Sequence, residues 1–64
     1  MKFEDALELM RLGELVQNKE FKAVYRLKGD VFEYSYVDCF GKWKLNVYFS
    51  GSLILSDKWE IFKK

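Results

Sequence analysis

The first hydrophobic pattern along the chain has the period of an α-helix. One face of the segment collects four apolar side chains at helical spacing: Phe3, Ala6, Leu7 and Met10. Acidic residues stand in its first turn and Arg11 stands in its last turn, and both placements favour the helix dipole. The pattern predicts a helix over about residues 3–12, followed by Gly13 as the residue that ends it.

From residue 21 the pattern changes to an alternation of apolar and polar positions, which is typical of a half-buried strand. One alternating run covers residues 21–28 and the next covers 31–37, with Gly29-Asp30 between them. Glycine accepts the positive φ of two-residue hairpin turns, so this dipeptide predicts a hairpin. The hairpin sets four pairs of residues opposite each other: Leu27 with Phe32, Tyr25 with Tyr34, Ala23 with Tyr36, and Arg26 with Glu33.

The alternation continues through residues 42–50, which predicts a third strand of the same meander. A loop over residues 38–41 would give three further pairs on the same aromatic face: Tyr36 with Trp43, Tyr34 with Leu45, and Phe32 with Val47. Shorter strands are predicted at 14–18 and 58–63, side by side. Residues 1–64 are therefore expected to form one α+β domain, with the N-terminal helix packed on one face of a small antiparallel sheet of four to five strands.

Composition narrows the class of protein. Of the 64 residues, 50% are hydrophobic and 19% are aromatic, which is too apolar for intrinsic disorder. The longest apolar runs are short, such as residues 53–55, so we expect no membrane span. The acidic N-terminal segment lacks the apolar centre of a secretory signal, which favours a cytoplasmic protein. A chain this small buries little surface internally, which favours a homo-oligomer.

The side-chain inventory disfavours catalysis and metal binding. The chain has no histidine to act as a base at neutral pH, and one cysteine, Cys39, is too few for an ordinary zinc site. No nucleophile motif surrounds Ser50 or Ser52. We therefore expect a protein that is not an enzyme and has no cofactor and no metal.

Charge is unevenly distributed although the net charge is only +1. On the predicted register, the sheet face opposite the helix carries Glu33 and five bases: Lys22, Arg26, Lys28, Lys42 and Lys44. Such a face could attract an anion such as a phosphate. The alternative is a solvated face whose lysines oppose edge pairing. Long nucleic acid is disfavoured as a partner, because the rings are expected to point into the core.

The aromatic stripe also permits two interpretations, a stacking surface or the hydrophobic core beneath the helix, of which the core is favoured. If any ring is exposed, we expect it to be one of the three near strand ends or turns: Phe21, Phe40 or Trp43. The apolar tip at Cys39-Phe40 indicates either an interface or a loop that folds over the edge of the core.

The two ends of the chain resemble a family of small phage proteins, the Thoeris anti-defence family. The family's opening pattern of aromatic, acid, Ala-Leu, aliphatic, glycine and valine is matched by Phe3, Glu4, Ala6, Leu7, Met10, Gly13 and Val16. Its closing pattern is matched by Leu55, Ser56, Asp57, Trp59, Glu60 and Ile61. Asn18 and Phe21 stand where the family usually has arginine and tryptophan, and Lys58 separates the acid from Trp59.

The resemblance implies a helix-plus-sheet protein, often oligomeric, that a phage makes in the host cytoplasm to block bacterial immunity. Some members of the family sequester a cyclic nucleotide signal, and others are linked to CRISPR inhibition. For this chain it implies stacking by Phe21 and phosphate contacts by Lys19 or Lys22. Together with the basic face, this gives six predicted ligand-binding residues: Lys19, Phe21, Lys22, Arg26, Lys42 and Lys44.

The leading hypothesis is thus a non-enzymatic phage-type binding protein that counters host defence by sequestering an anionic nucleotide signal. The alternative is an inhibitor that binds a host defence protein directly, through an oligomer surface or the 38–41 loop. A third hypothesis is a small phage domain whose role lies elsewhere.

Overall fold

A computed structural model of the chain describes residues 1–45 and 47–63, so Asn46 of the predicted third strand and Lys64 lie outside it. Within the described residues the elements follow one another in this order: helix α1 (Phe3–Arg11), strands β1 (Val16–Asn18), β2 (Ala23–Lys28) and β3 (Val31–Tyr36), a 3-10 helix (Val37–Cys39), helix α2 (Gly51–Leu55) and strand β4 (Trp59–Ile61). The sheet is antiparallel, in the order β3-β2-β1-β4. The predicted α+β class, with the N-terminal helix packed against an antiparallel sheet, is confirmed.

Helix α1 ends in a Schellman motif, which explains why its predicted end was correct to within one residue. Gly13 has φ +92°, a left-handed conformation that glycine adopts without strain. Its N–H donates to the carbonyl of Met10 at 3.0 Å, and the Glu14 N–H donates to that of Leu9 at 3.0 Å. The apolar face of the helix buries Ala6 and Met10 in the core. There they meet buried residues of the other elements: Val16, Ala23, Tyr25, Leu53 and Trp59.

The predicted hairpin is confirmed in every pair. Strands β2 and β3 set Leu27 against Phe32, Tyr25 against Tyr34, Ala23 against Tyr36 and Arg26 against Glu33. Positive φ occurs at Gly29 (+67°) and not at Asp30, which is the pattern of a type II′ turn. The strands predicted at 14–18 and 58–63 were expected to lie side by side, and this is also confirmed, since β4 pairs with β1.

The third strand predicted over 42–50 was wrong. In the described part of this segment, the pairing with β3 is a single bridge in which Tyr34 and Lys44 exchange hydrogen bonds of 3.0 and 2.8 Å. This bridge is shifted by one residue from the predicted pairing of Tyr34 with Leu45. Side chains alternate between the two faces of a strand, so a shift of one residue exchanges the faces. Leu45, expected to point into the core, is accordingly 57% exposed.

The shift follows from the loop that precedes the segment. The chain makes a 3-10 turn at Val37–Cys39 in place of a regular hairpin loop. The Gly41 N–H then donates to Ser35 Oγ at 3.1 Å, which draws residues 40–43 across the outer face, defined here as the sheet face opposite α1. The Phe40 ring lies 5.6 Å from that of Trp43 and 4.8 Å from that of Phe62. The loop tip therefore folds over the sheet, and the outer face is partly covered by rings.

The segment 51–55 forms a helix where the sequence predicted part of a loop. Ser50 Oγ accepts the N–H of Leu53 at 3.2 Å and caps α2. Leu53 is buried, and its carbonyl accepts the indole N–H of Trp59 at 3.2 Å. Helix α2 thus supplies a core residue and a partner for the buried tryptophan. None of the helices in residues 1–45 and 47–63 has the length and apolarity that a membrane span requires.

Candidate ligand-binding site

A cleft of about 260 Å³ opens on the same sheet face as α1, beside the helix. Helix α1 packs mainly over β1, β2 and β4, and the cleft lies on the β3 side of the same face. Five rings line the cleft, with two aliphatic side chains between them: Phe21, Tyr25, Tyr34, Tyr36 and Tyr48, with Ala23 and Val47. We call this feature the aromatic cleft.

The alternation of β2 and β3 builds the floor of the aromatic cleft. Tyr25 and Tyr34 are paired across the two strands, with ring centroids 6.4 Å apart. Tyr34 and Tyr36 lie on the same face of β3 and meet edge to face, 5.7 Å apart. Ala23 is paired with Tyr36, and its buried methyl group forms part of the cleft floor.

The rings divide into a buried floor and an exposed rim. Tyr25 is only 6% exposed, whereas Phe21, Tyr36 and Tyr48 are exposed by 40%, 46% and 83%. Burial, together with the neighbouring Tyr36 and Tyr34 phenols, raises the pKa of Tyr25 to about 12. The floor therefore presents a neutral phenol at physiological pH, and the rim presents ring surface to solvent.

A tight turn between β1 and β2 holds Phe21 at the rim. Asn18 is fully buried, and its Oδ1 accepts the backbone N–H groups of Glu20 at 2.9 Å and Phe21 at 3.3 Å. The N–H of Lys22 closes the turn by donating to the Asn18 carbonyl at 2.9 Å. Asparagine side chains favour such turns because they bond to backbone groups two or three residues ahead.

Three of the predicted ligand-binding residues belong to the aromatic cleft or its border. Phe21 lines the cleft, and Lys22 lies between Phe21 and Ala23 in the chain. Lys22 was predicted on the face opposite the helix as part of a regular strand, but β2 begins at Ala23 and Lys22 stands in the turn before it, with φ +52°. Lys44 is the bridge partner of Tyr34. Residues directly opposite in an antiparallel pair share one face, so the side chain of Lys44 is on the cleft side of the sheet and not on the opposite face, where the sequence pattern placed it.

The other three predicted residues lie apart from the aromatic cleft. Arg26 is on the outer face, with Nε 2.7 Å from Glu33 Oε1 and the guanidinium 3.9 Å from the centre of the Trp43 ring. Lys19 Nζ lies 3.4 Å from Glu60 Oε2. Lys42 is exposed in the turn that follows Gly41. The six residues therefore do not form one cationic surface, and two of them have carboxylate partners.

The sequence interpretation missed most of the aromatic cleft. Tyr34 and Tyr36 were assigned to the core beneath the helix. Tyr48 follows Val47, so the alternation predicted for residues 42–50 puts it on the opposite, polar face of a strand that does not form. One signal was available: four of the five cleft rings are tyrosines, which usually keep the hydroxyl end near water or a polar partner.

Comparisons with protein-family models, with curated proteins and with solved structures found no match to this chain. The resemblance of its two ends to the Thoeris anti-defence family has no support from these comparisons, and it stays a hypothesis.

Proposed function

We propose that this protein is a non-enzymatic binding protein whose aromatic cleft captures a small ligand that carries a planar ring and a negative charge, as a nucleotide does. The observation that carries the proposal is the exposed rim. Three rings that border one cavity are exposed by 40% or more, although apolar surface of this kind is normally buried. Bound ligand would cover them.

The size and lining of the aromatic cleft fit a single ring system. Its volume of about 260 Å³ lies near the lower end of small-ligand pockets, which begin at about 300 Å³. Aromatic side chains stack on nucleobases of any kind, since every base has a π-face, and each stacked base contributes about 1–3 kcal/mol. A mononucleotide or one base of a larger nucleotide is therefore the class of ligand that we propose.

The charges around the aromatic cleft favour an anion over a cation. None of the described residues that line it is acidic. Lys22 adjoins the rim through Phe21, and the Tyr34–Lys44 bridge brings Lys44 to the cleft side of the sheet. A cationic ligand would meet these two ammonium groups without a carboxylate among the lining residues to bind it.

The resemblance of the chain's ends to phage anti-defence proteins adds a biological setting to this proposal. In that setting, the protein would counter host immunity by sequestering a nucleotide signal. The chemistry of the aromatic cleft does not depend on this setting and is testable without it.

Isothermal titration against a panel of mononucleotides and cyclic nucleotides tests the proposal. We expect heat of binding with the wild-type protein, and an affinity about 5- to 150-fold lower after Tyr48→Ala, which removes one stacking ring. Leu55→Ala is the matched control, because Leu55 is 86% exposed and does not line the aromatic cleft. Absence of heat with every nucleotide, or an unchanged affinity of Tyr48→Ala, would refute the proposal.

A second candidate function is direct binding of a host defence protein. Apolar side chains exposed outside the aromatic cleft favour it: Leu12 (72%), Leu45 (57%) and Leu55 (86%). A homo-oligomer would cover the same side chains, and that expectation also stays a prediction. A pull-down from bacterial lysate, with Leu45→Asp as the comparison, tests this function. A specific protein retained by the wild type and lost with Leu45→Asp would support it, and an empty lane counts against it.

A further inference from the structure

Lys22 has a backbone conformation that lysine rarely adopts. Its φ is +52°, and among the described residues it is the one non-glycine residue with a positive φ. In the left-handed region the Cβ atom crowds the following carbonyl oxygen, so glycine or asparagine is favoured there. A residue retained in a conformation that disfavours it is reason to look for a functional role of its side chain.

The residues around Lys22 link that role to the aromatic cleft. Phe21 before it and Ala23 after it both line the aromatic cleft. Across the hairpin, the Lys22 carbonyl accepts the N–H of Val37 at 3.0 Å, and Val37 directly follows Tyr36, a further lining residue. The backbone of Lys22 is thus held at the border of the cleft by two hydrogen bonds, from its N–H to the Asn18 carbonyl and to its carbonyl from the Val37 N–H.

The charge of Lys22 is also free for a ligand. The side chain is exposed and takes part in none of the ion pairs in residues 1–45 and 47–63, whereas Lys19 is paired with Glu60 and Arg26 with Glu33. An ammonium group carries three hydrogen-bond donors and no acceptor, so it binds an acid group and does not bind a second cation.

We infer that Lys22 gives the aromatic cleft its preference for an anionic ligand, by binding the phosphate or other acid group while the rings hold the planar part. This inference rests on the proposed function and assigns the main contact with the acid group to Lys22, with Lys44 as the second base on the cleft side of the sheet. It explains why a lysine occupies a position at which glycine or asparagine would be less strained.

The experiment compares ligands that differ only in a phosphate, with adenosine and uridine against their 5′-monophosphates in isothermal titrations. For the wild type we expect the monophosphates to bind more tightly than the nucleosides. Lys22→Gly and Lys22→Asn tolerate the positive φ and remove the charge. In both variants we expect monophosphate affinity to fall at least about tenfold and nucleoside affinity to stay the same, with Lys22→Arg close to the wild type.

The controls separate this inference from the proposed function. Lys28→Gly removes the same charge at the other end of β2 and should leave monophosphate affinity unchanged. The thermal midpoint of Lys22→Gly should be unchanged or higher, because the strained conformation is relieved. If Lys22→Gly keeps the preference for the monophosphate, or loses nucleoside and monophosphate affinity equally, the role of Lys22 is overturned and the aromatic cleft stands. If the wild type binds none of the four compounds, both proposals are overturned.

Discussion

Arg26 is a residue whose role differs between the sequence interpretation and the structure. The pattern placed it among bases on an open sheet face. In the structure its Nε lies 2.7 Å from Glu33 Oε1, with the two side chains only 29% and 13% exposed, and its guanidinium lies against the Trp43 ring. A partly shielded ion pair combined with a cation–π contact stabilises the fold more than an exposed pair does.

We expect Arg26→Ala to lower the free energy of unfolding by about 1–2 kcal/mol, since it removes both contacts and leaves Glu33 without its partner. Urea unfolding of Arg26→Ala, Glu33→Gln and the double variant measures the coupling between the two residues. Arg11→Ala is the control, because its 3.8 Å contact with Glu8 is exposed by 66% on both sides and should contribute little. Equal losses for Arg26→Ala and Arg11→Ala would contradict the structural role.

At the scale of elements, helix α2 depends on its cap. The helix has only five residues, so it is too short to be stable by itself, and the Ser50 hydroxyl satisfies one of its first N–H groups. Ser50→Ala should lower the free energy of unfolding by about 0.5–2 kcal/mol. Ser52→Ala, an exposed change within the same helix, should have a much smaller effect. Thermal unfolding of both variants checks this, and a loss at Ser52 as large as that at Ser50 would contradict it.

The sequence predicted those elements whose signals are local. Helix α1 carries its own apolar period and its terminating Gly13, and the β2–β3 register follows from alternation around Gly29-Asp30. The run at 42–50 alternates equally well, but no two-residue turn precedes it to fix its register. Its position depends on contacts distant in sequence, such as the Ser35 hydroxyl that accepts the Gly41 N–H. Alternation shows which residues of the run share a face, but it does not show which of the two faces packs on the core, and here the shift of one residue exchanged them.

The candidate site was predictable to a smaller extent than the fold. Phe21 was one of three rings named as candidates for exposure because they lie near strand ends or turns, and it is 40% exposed. The exposure of Tyr36 and Tyr48 depends on how much of the sheet α1 covers, which is a property of packing and not of any local pattern. Positive φ at Lys22 likewise arises from the turn that buried Asn18 organises.

At the scale of the whole molecule, Tyr25 connects the aromatic cleft to the hydrophobic core. It forms the floor of the cleft, and its ring also lies 5.2 Å from that of Trp59 and 5.7 Å from that of Phe49. Because the same ring belongs to both features, ligand binding at the floor and stability of the core are expected to be coupled. Ionisation of its hydroxyl affects both.

Because Tyr25 is buried, the free energy of unfolding is expected to fall at alkaline pH. Burial raises the pKa of Tyr25 from 10.0 to about 12, so the folded state holds the phenol proton more tightly than the unfolded chain. The stabilisation is fully present below pH 10 and is lost as pH rises from 10 through about 12. Its size is on the order of 3 kcal/mol.

Tyr25→Phe keeps the ring and removes the ionisable group. We expect wild-type stability to fall steeply between pH 10 and 12 in urea unfolding, and the fall to be clearly smaller in Tyr25→Phe. Tyr48→Phe removes a hydroxyl from the exposed rim and is the matched control. Its stability is expected to depend on pH as that of the wild type does. Equal slopes for the wild type and Tyr25→Phe would show that the proton of Tyr25 is not held by the fold. A ligand bound at the floor should stabilise the protein less as the pH approaches about 12, where Tyr25 ionises in the folded state, because a phenolate would then face the ligand's own negative charge.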